Sequence, residues 1–274
     1  MALDSQAASV SVVIPCWNVE ATIANAIESV RCQEGIELEI ICYNDNSQDS
    51  TNVLLSKWAS DGLIKYIRNS VSCGAAEARN HGLNEASGEL VQFLDADDIL
   101  LPGKLQRQAN IMRDCTADFV VGAYKFNAMN GRSYFYSPDK DCWVGLIASR
   151  LGRTSSNLFR TKSLKSVGGW STQQKSSQEY ELMYRLLKND ARIAMDDVIG
   201  TIVNSSSGSK SNRNLEDNAS RFIELRKHIV NYLENHNMFT RARRSEYQIT
   251  YERTLYDLKK ELNALQRKAD TKKG

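Results

Sequence analysis

Residues 10–15 read Val-Ser-Val-Val-Ile-Pro, a short β-branched run stopped by a proline, and this pattern predicts a buried strand. Ile23, Ala26, Ile27 and Val30 then recur at helical spacing. A second strand is predicted over 38–43, followed by the polar turn 44–49 and a helix through Leu54, Leu55 and Trp58. Strand 64–68, helix 75–86 and strand 89–94 complete the series, the last running straight into Asp95. Strands alternating with helices at this rhythm describe a mostly parallel sheet covered on both faces, a Rossmann-like α/β fold. Ligands of such sheets bind beyond the carboxyl ends of the strands. Those ends carry the polar clusters Pro15-Cys16-Trp17-Asn18, Asn44-Asp45-Asn46-Ser47 and Asp95 to Asp98. Topology alone therefore brings three clusters to one rim.

After Pro102 the rhythm changes. The pattern predicts helix 104–113, strands 119–124 and 133–136, a short helix over 143–149, strand 157–160, helix 177–187 and a late strand over 197–204. This second half is expected to continue the sheet while forming the wall for a second substrate. From about Leu215 the chain is helical in character, with an amphipathic stripe (Leu255, Leu258, Leu262, Leu265) and basic residues that include Arg243, Arg244, Lys272 and Lys273. The expected organisation is a domain over 1–214, with a nucleotide-binding half (1–101) and an acceptor-side half (102–214), and a helical C-terminal extension over 215–274.

Composition adds limits. Across 274 residues, 42% hydrophobic and 25% charged content are ordinary for a globular protein, and a net charge of +2 gives no sign of a nucleic-acid partner. The six cysteines are scattered with no C-x-x-C pair, so reduced thiols are expected. Neither a leader-like start nor a stretch of about 20 apolar residues is seen, which predicts a cytoplasmic protein. Its basic C-terminal helices would rest peripherally on an anionic membrane, or dock on their own domain or on a second copy in a homodimer.

Asp95, Asp97 and Asp98 crowd together directly after an apolar strand. Carboxylates this close repel unless a cation or hydrogen-bond donors hold them. An oxygen-preferring ion such as Mg²⁺ or Mn²⁺ fits, and so does a cap on the helix after Pro102.

The surrounding motifs carry a resemblance. Ser11-Val12-Val13-Ile14-Pro15-Cys16-Trp17-Asn18 resembles the opening strand of family 2 inverting glycosyltransferases, which have the GT-A fold. Asn44-Asp45-Asn46-Ser47-Gln48-Asp49-Ser50-Thr51 is similar to that family's D-D-G-S-x-D-x-T turn, and Gly74 to Leu83 to its G-x-x-x-A-R-N-x-G segment. Asp95-Ala96-Asp97-Asp98 stands where its D-x-D motif does. The resemblance implies a UDP-sugar donor, a saccharide or lipid-linked acceptor, and Mn²⁺ or Mg²⁺. It places Asp45 on the uracil imide, Pro15 and Trp17 along the base with Glu20 reaching the same pocket, and Arg79 on ribose or phosphate. Asp95, with Ala96 beside it, would lie against the ribose, and Asp97 would hold the metal. Asn44 and Asn46 depart from the usual Asp and Gly, although Asn tolerates unusual backbone angles. No histidine follows the late strand, where some relatives place an extra metal ligand.

Inverting transfer needs a general base for the acceptor hydroxyl. Residues 177–186 resemble the family's E-D-x-E-L-x-x-R-L segment, and Glu179 matches its catalytic carboxylate, with Glu181 and Asp98 as alternatives. Glu181 is expected to pair with Arg185 at i, i+4. Gly168-Gly169-Trp170 offers either an indole for sugar stacking or a tight turn with a core tryptophan. Two other functions compete: a nucleotidyltransferase, which would want a Gly-rich phosphate loop after the first strand, and a non-catalytic nucleotide-binding module. Pro15-Cys16-Trp17-Asn18 counts against the first, and Asp95, Asp97 and Glu179 against the second.

Overall fold

The computed structural model describes residues 7–205 and 215–271. β1 (Ala8–Cys16), β2 (Ile36–Asp45), β3 (Lys65–Asn69) and β4 (Leu90–Phe93) alternate with α1 (Ile23–Arg31), α2 (Thr51–Ser60) and α3 (Ala75–Glu85). Then follow β5 (Ile99–Leu100), α4 (Lys104–Asp114), β6 (Phe119–Asn127), β7 (Ser133–Tyr136) and α5 (Cys142–Ala148). A 3₁₀ turn at Thr154–Ser156 leads to β8 (Leu158–Arg160), α6 (Thr161–Ser166), α7 (Gln178–Lys188), β9 (Ile193–Asn204), α8 (Leu215–Asn235) and α9 (Arg241–Thr271). Each expected element is present. The unexpected ones, β5 and α6, are two and six residues long, too short to show a period.

One nine-stranded sheet runs in the order β3-β2-β1-β4-β8-β6-β9-β5, with β7 paired to β6. The pairs β1–β2, β1–β4 and β2–β3 are parallel, as is β6–β9, whereas β8, β7 and β5 join antiparallel. The second half thus continues the sheet but reverses direction at β8. Alternation within β1 sends Val13 to one core cluster and Val12 and Ile14 to the other. Residues of α1 and α4 pack in the second cluster; those of α3, α5, α7 and α8 pack in the first. The sheet is therefore covered on both faces. Gly82 explains the glycine of the α3 segment: a Cβ there would meet Val13 Cγ1 at 2.2 Å, so the helix can approach β1 only without a side chain.

The start of α9 docks on its own chain. Arg243 pairs with Asp141 at 3.1 Å, Glu246 with Arg150 at 3.0 Å, and Arg244 with Glu234. Part of the basic charge expected to face a membrane is thus used internally. The Leu262 and Leu265 side chains, Lys272, Lys273 and the segment ending at the expected 214/215 boundary lie outside the described residues. Among the described residues no helix is long and apolar enough to cross a membrane. All six cysteines are unpaired.

Candidate active site

The rim is built from loops that brace one another. Asn18, in the left-handed region at φ 53°, donates its backbone N–H to Ser47 Oγ and accepts from the Gln48 N–H at 2.8 Å. Asn46 is also left-handed, at φ 59°, the conformation its side chain tolerates in place of glycine. Val19 N–H donates to Thr51 Oγ1, and Glu20 N–H to Asp49 Oδ2. These bonds fix the ends of β1 and β2 as one unit, with Pro15 and Trp17 half-buried on it.

Two residues expected in the base pocket hold loops. Glu20 is exposed, and its Oε2 accepts from the Ser50 N–H at 2.8 Å, just before α2, where helix dipole and unpaired donors favour a carboxylate. It braces the loop that leads into α2. Asp45 is buried, and its carboxylate accepts from Cys73 N–H at 2.7 Å, Gly74 N–H at 2.9 Å, Ser72 Oγ at 2.8 Å and the Cys73 thiol. A carboxylate has about four lone-pair positions. Through these bonds Asp45 holds the loop that starts α3. Burial pushes its pKa up, but the bonds from Cys73, Ser72 and Gly74 outweigh it and hold the group below the usual range.

The carboxylate turn is divided by burial. Asp95 keeps 38% of its side chain exposed and takes Arg79 at 2.7 Å. Ala96 buries its side chain in the core, so only its backbone reaches the rim. Asp97 is half-buried, its carbonyl held by Asn204 Nδ2 at 2.7 Å. Asp98 is 2% exposed and accepts from Ser155 Oγ and from the Asn204 N–H at 2.9 Å. Burial, with the Asp95 charge beside it, pushes its carboxyl well above the ordinary value. Asp98 thus anchors the turn, which disfavours it as the base. Among the described residues no three His, Cys, Asp or Glu side chains converge as a finished cation cage. The donor set still fits a hard ion of the magnesium type, which takes one or two carboxylates and completes its shell with water and phosphate oxygens.

Arg79 joins this turn to the helix carrying the expected base. It is buried, donates to Asp95 and to Gln178 Oε1 at 3.3 Å, and stacks over the Trp170 ring at 4.6 Å. Trp170 is 2% exposed and packs edge-on to Phe93. It is the core tryptophan of a tight turn, with φ 77° and 67° at Gly168 and Gly169, and offers no face to a sugar. Next along α7, Glu179 keeps 16% exposure with Arg153 3.8 Å away. Glu181 is spent as expected, bound by Arg185 at 2.6 and 2.8 Å. Of the alternatives, only Glu179 is left near the rim without a close, bidentate partner.

Three residues that matter here were not singled out in the sequence: Arg153, Ser155 and Asn204. Ser155 Oγ accepts from the Asp95 N–H at 3.0 Å while donating to Asp98. The run Thr154-Ser155-Ser156-Asn157 is entirely buried despite being polar. Such a run reads as a surface loop, and nothing local marks it as core.

The sequence from residue 11 to residue 172 matches the description "Glycosyl transferase family 2". The chain belongs to this family. It is 35% identical over 161 residues to the Escherichia coli UDP-Glc:alpha-D-GlcNAc-diphosphoundecaprenol beta-1,3-glucosyltransferase WfgD, covering 55% of this chain and 62% of that one. It is 42% identical over 97 residues to a Campylobacter jejuni GalNAc(5)-diNAcBac-PP-undecaprenol beta-1,3-glucosyltransferase, covering 35% of this chain and 31% of that one. The match spans less than two thirds of the length of these curated relatives. In fold, the family member is similar to Staphylococcus aureus TarS 1-349 in complex with UDP-GlcNAc (TM-score 0.64, 20% identity, 91% of this chain, 80% of that one). It is likewise similar to the Pyrobaculum calidifontis mannosyltransferase PcManGT in complex with GDP-Man and Mn²⁺ (TM-score 0.65, 15% identity, 97% and 81%). The GT-A architecture expected from the motifs is the one observed.

Proposed function

We propose that this chain transfers a sugar from a UDP-sugar to a saccharide or lipid-linked saccharide acceptor, with inversion at the anomeric carbon. The observation that carries this reading is Arg79, which touches both Asp95 and Gln178 and so binds the carboxylate rim to the first turn of α7. Donor and acceptor chemistry need those two elements side by side. Residues 1–101 form the donor half, 102–214 the acceptor half, and 215–274 a helical extension. The WfgD name supports UDP-glucose and a diphosphate-lipid acceptor, and the PcManGT complex supports Mn²⁺.

In this mechanism Pro15 and Trp17 flank the base, while Asp45 and Glu20 act through the loops they hold. Asp95, oriented by Arg79 and Ser155, meets the ribose beside the Ala96 backbone. A Mn²⁺ or Mg²⁺ ion held by Asp97 would neutralise the departing diphosphate. Glu179 accepts the proton of the acceptor hydroxyl as its oxygen bonds to the anomeric carbon and the bond to the diphosphate breaks. Arg153 faces Glu179 at 3.8 Å.

A panel of UDP- and GDP-sugars, with an alkyl diphosphate bearing N-acetylglucosamine as acceptor, tests the reading. One UDP-sugar is expected to give Mn²⁺- or Mg²⁺-dependent product with inverted linkage. Transfer with retention, or no turnover of any nucleotide sugar, overturns it.

A further inference from the structure

The β6–β7 hairpin carries a feature that the donor site does not use. In its antiparallel register Tyr124 faces Tyr136, and Phe126 faces Tyr134. Directly opposed residues share a face, so one side of the hairpin presents a two-by-two array of aromatic rings. Tyr124 and Tyr136 stack at 5.0 Å and 17°. The second pair lies about 7 Å further along, two residues of strand rise. β7 is exposed along its length, with Tyr136 43% and Tyr134 41% accessible. Tyr134 and Tyr136 therefore form a surface in contact with solvent, backed by the half-buried Phe126 and the buried Tyr124 ring.

The array is continuous with the candidate base. Arg153 Nε donates to Tyr124 Oη at 3.4 Å, and its Nη1 lies 3.8 Å from Glu179. Burial pushes the Tyr124 hydroxyl above its ordinary value, so it stays protonated at neutral pH. The same end of β6 pairs with β9 as far as Asn127 and Asn204, and Asn204 holds Asp97 and Asp98. The hairpin thus stands beside the turn that carries Asp97 and Asp98.

Resting on the functional reading above, we propose that the shared face of β6 and β7 is the acceptor platform, and that its ligand is the saccharide part of the acceptor. Sugar rings offer apolar C–H faces edged with hydroxyls. Aromatic rings bearing polar tips match both, and here Tyr134, Tyr136 and the half-exposed Arg153 guanidinium supply the polar edge. A purely apolar tail would gain nothing from those hydroxyls. Tyr136, backed by the buried Tyr124 ring one side chain from Glu179, would seat the sugar that receives the new bond. The Phe126–Tyr134 pair would seat the unit before it.

The double variant Tyr134→Ser/Tyr136→Ser tests this platform by saturation-transfer NMR, which needs no turnover. The probes are the N-acetylglucosaminyl alkyl diphosphate and the same alkyl diphosphate without sugar. The wild-type chain is expected to saturate the sugar C–H protons of the first probe and to leave the second unbound. In the variant that signal falls at least fivefold, the acceptor KM rises about tenfold, and the Kd for UDP and the melting temperature do not move. Wild-type-like acceptor binding in the variant overturns the proposal. Equal binding of the sugar-free probe, lost in the variant, overturns it in favour of a lipid surface. Absence of turnover with every nucleotide sugar would instead defeat the functional reading, because the NMR signal is read without a donor.

Discussion

The two halves of the sheet are built on different terms. From residue 8 to residue 93 the strands β1 to β4 are parallel, and their polar turns are tied to one another across the rim: Asn18 to Ser47 and Gln48, Thr51 to Val19, Asp45 to residues 72–74. Most polar groups of those turns already have partners within the chain, so the side proposed to bind the donor is preorganised. Beyond Pro102, antiparallel strands enter, Glu179 keeps a loose ion pair, and the β6–β7 hairpin leaves aromatic rings in solvent. If the proposed division into donor and acceptor sides holds, braced loops on the one and exposed rings on the other suit a scaffold that keeps its donor chemistry while its acceptor varies.

The largest expected effect that probes this contrast is at the donor rim. Asp97→Ala should lower turnover by about 10³-fold or more and abolish its response to Mn²⁺ or Mg²⁺, since metal neutralisation of a leaving group is worth several kcal/mol. Assays in chelator and in added metal decide it; metal-independent activity in either protein removes Asp97 from the metal. On the acceptor side, Glu179→Gln should cost about 10²- to 10⁴-fold in kcat while the Kd for UDP, read by calorimetry, is unchanged. An unimpaired enzyme would move the base elsewhere, and weakened UDP binding would show that the halves are not separable.

A smaller effect tests the preorganisation of the donor loops. The folded-state pKa of Asp45 lies below its ordinary value of about 3.9, so it contributes stability that is fully present above that value and lost as pH falls through the folded one. Asp45→Asn should therefore lower the melting temperature at pH 7 by a few degrees, about 2–4 °C for each kcal/mol lost. The gap to the wild type should begin to narrow as pH falls below about 4 and continue to shrink as pH falls through the lower folded-state value. A gap independent of pH would mean that the loop is held by shape and not by the charge.

Much of the site was legible because it obeys local rules. The Val-rich β1, the polar turns after β1, β2 and β4, and the i, i+4 pairing of Glu181 with Arg185 each follow from a few neighbouring residues. Burial was less legible where a residue's type did not match its place. Phe93 and Arg79 enclose Trp170, and Glu20 holds the Ser50 N–H, through contacts that no local pattern expresses.

The alternation of strands and helices, the positions of the carboxylates on the rim and the family are written in the chain, because hydrophobic period and motif spacing are properties of neighbouring residues. How the carboxylates divide their work depends on long-range packing. Asp98 becomes an anchor because Ser155 and Asn204, distant in the chain, enclose it. Asp45 becomes a loop clamp because residues 72–74 fold back onto its oxygens. The same holds for the hairpin: the rings of Tyr124, Phe126, Tyr134 and Tyr136 share a face through cross-strand register, which no spacing along the chain expresses.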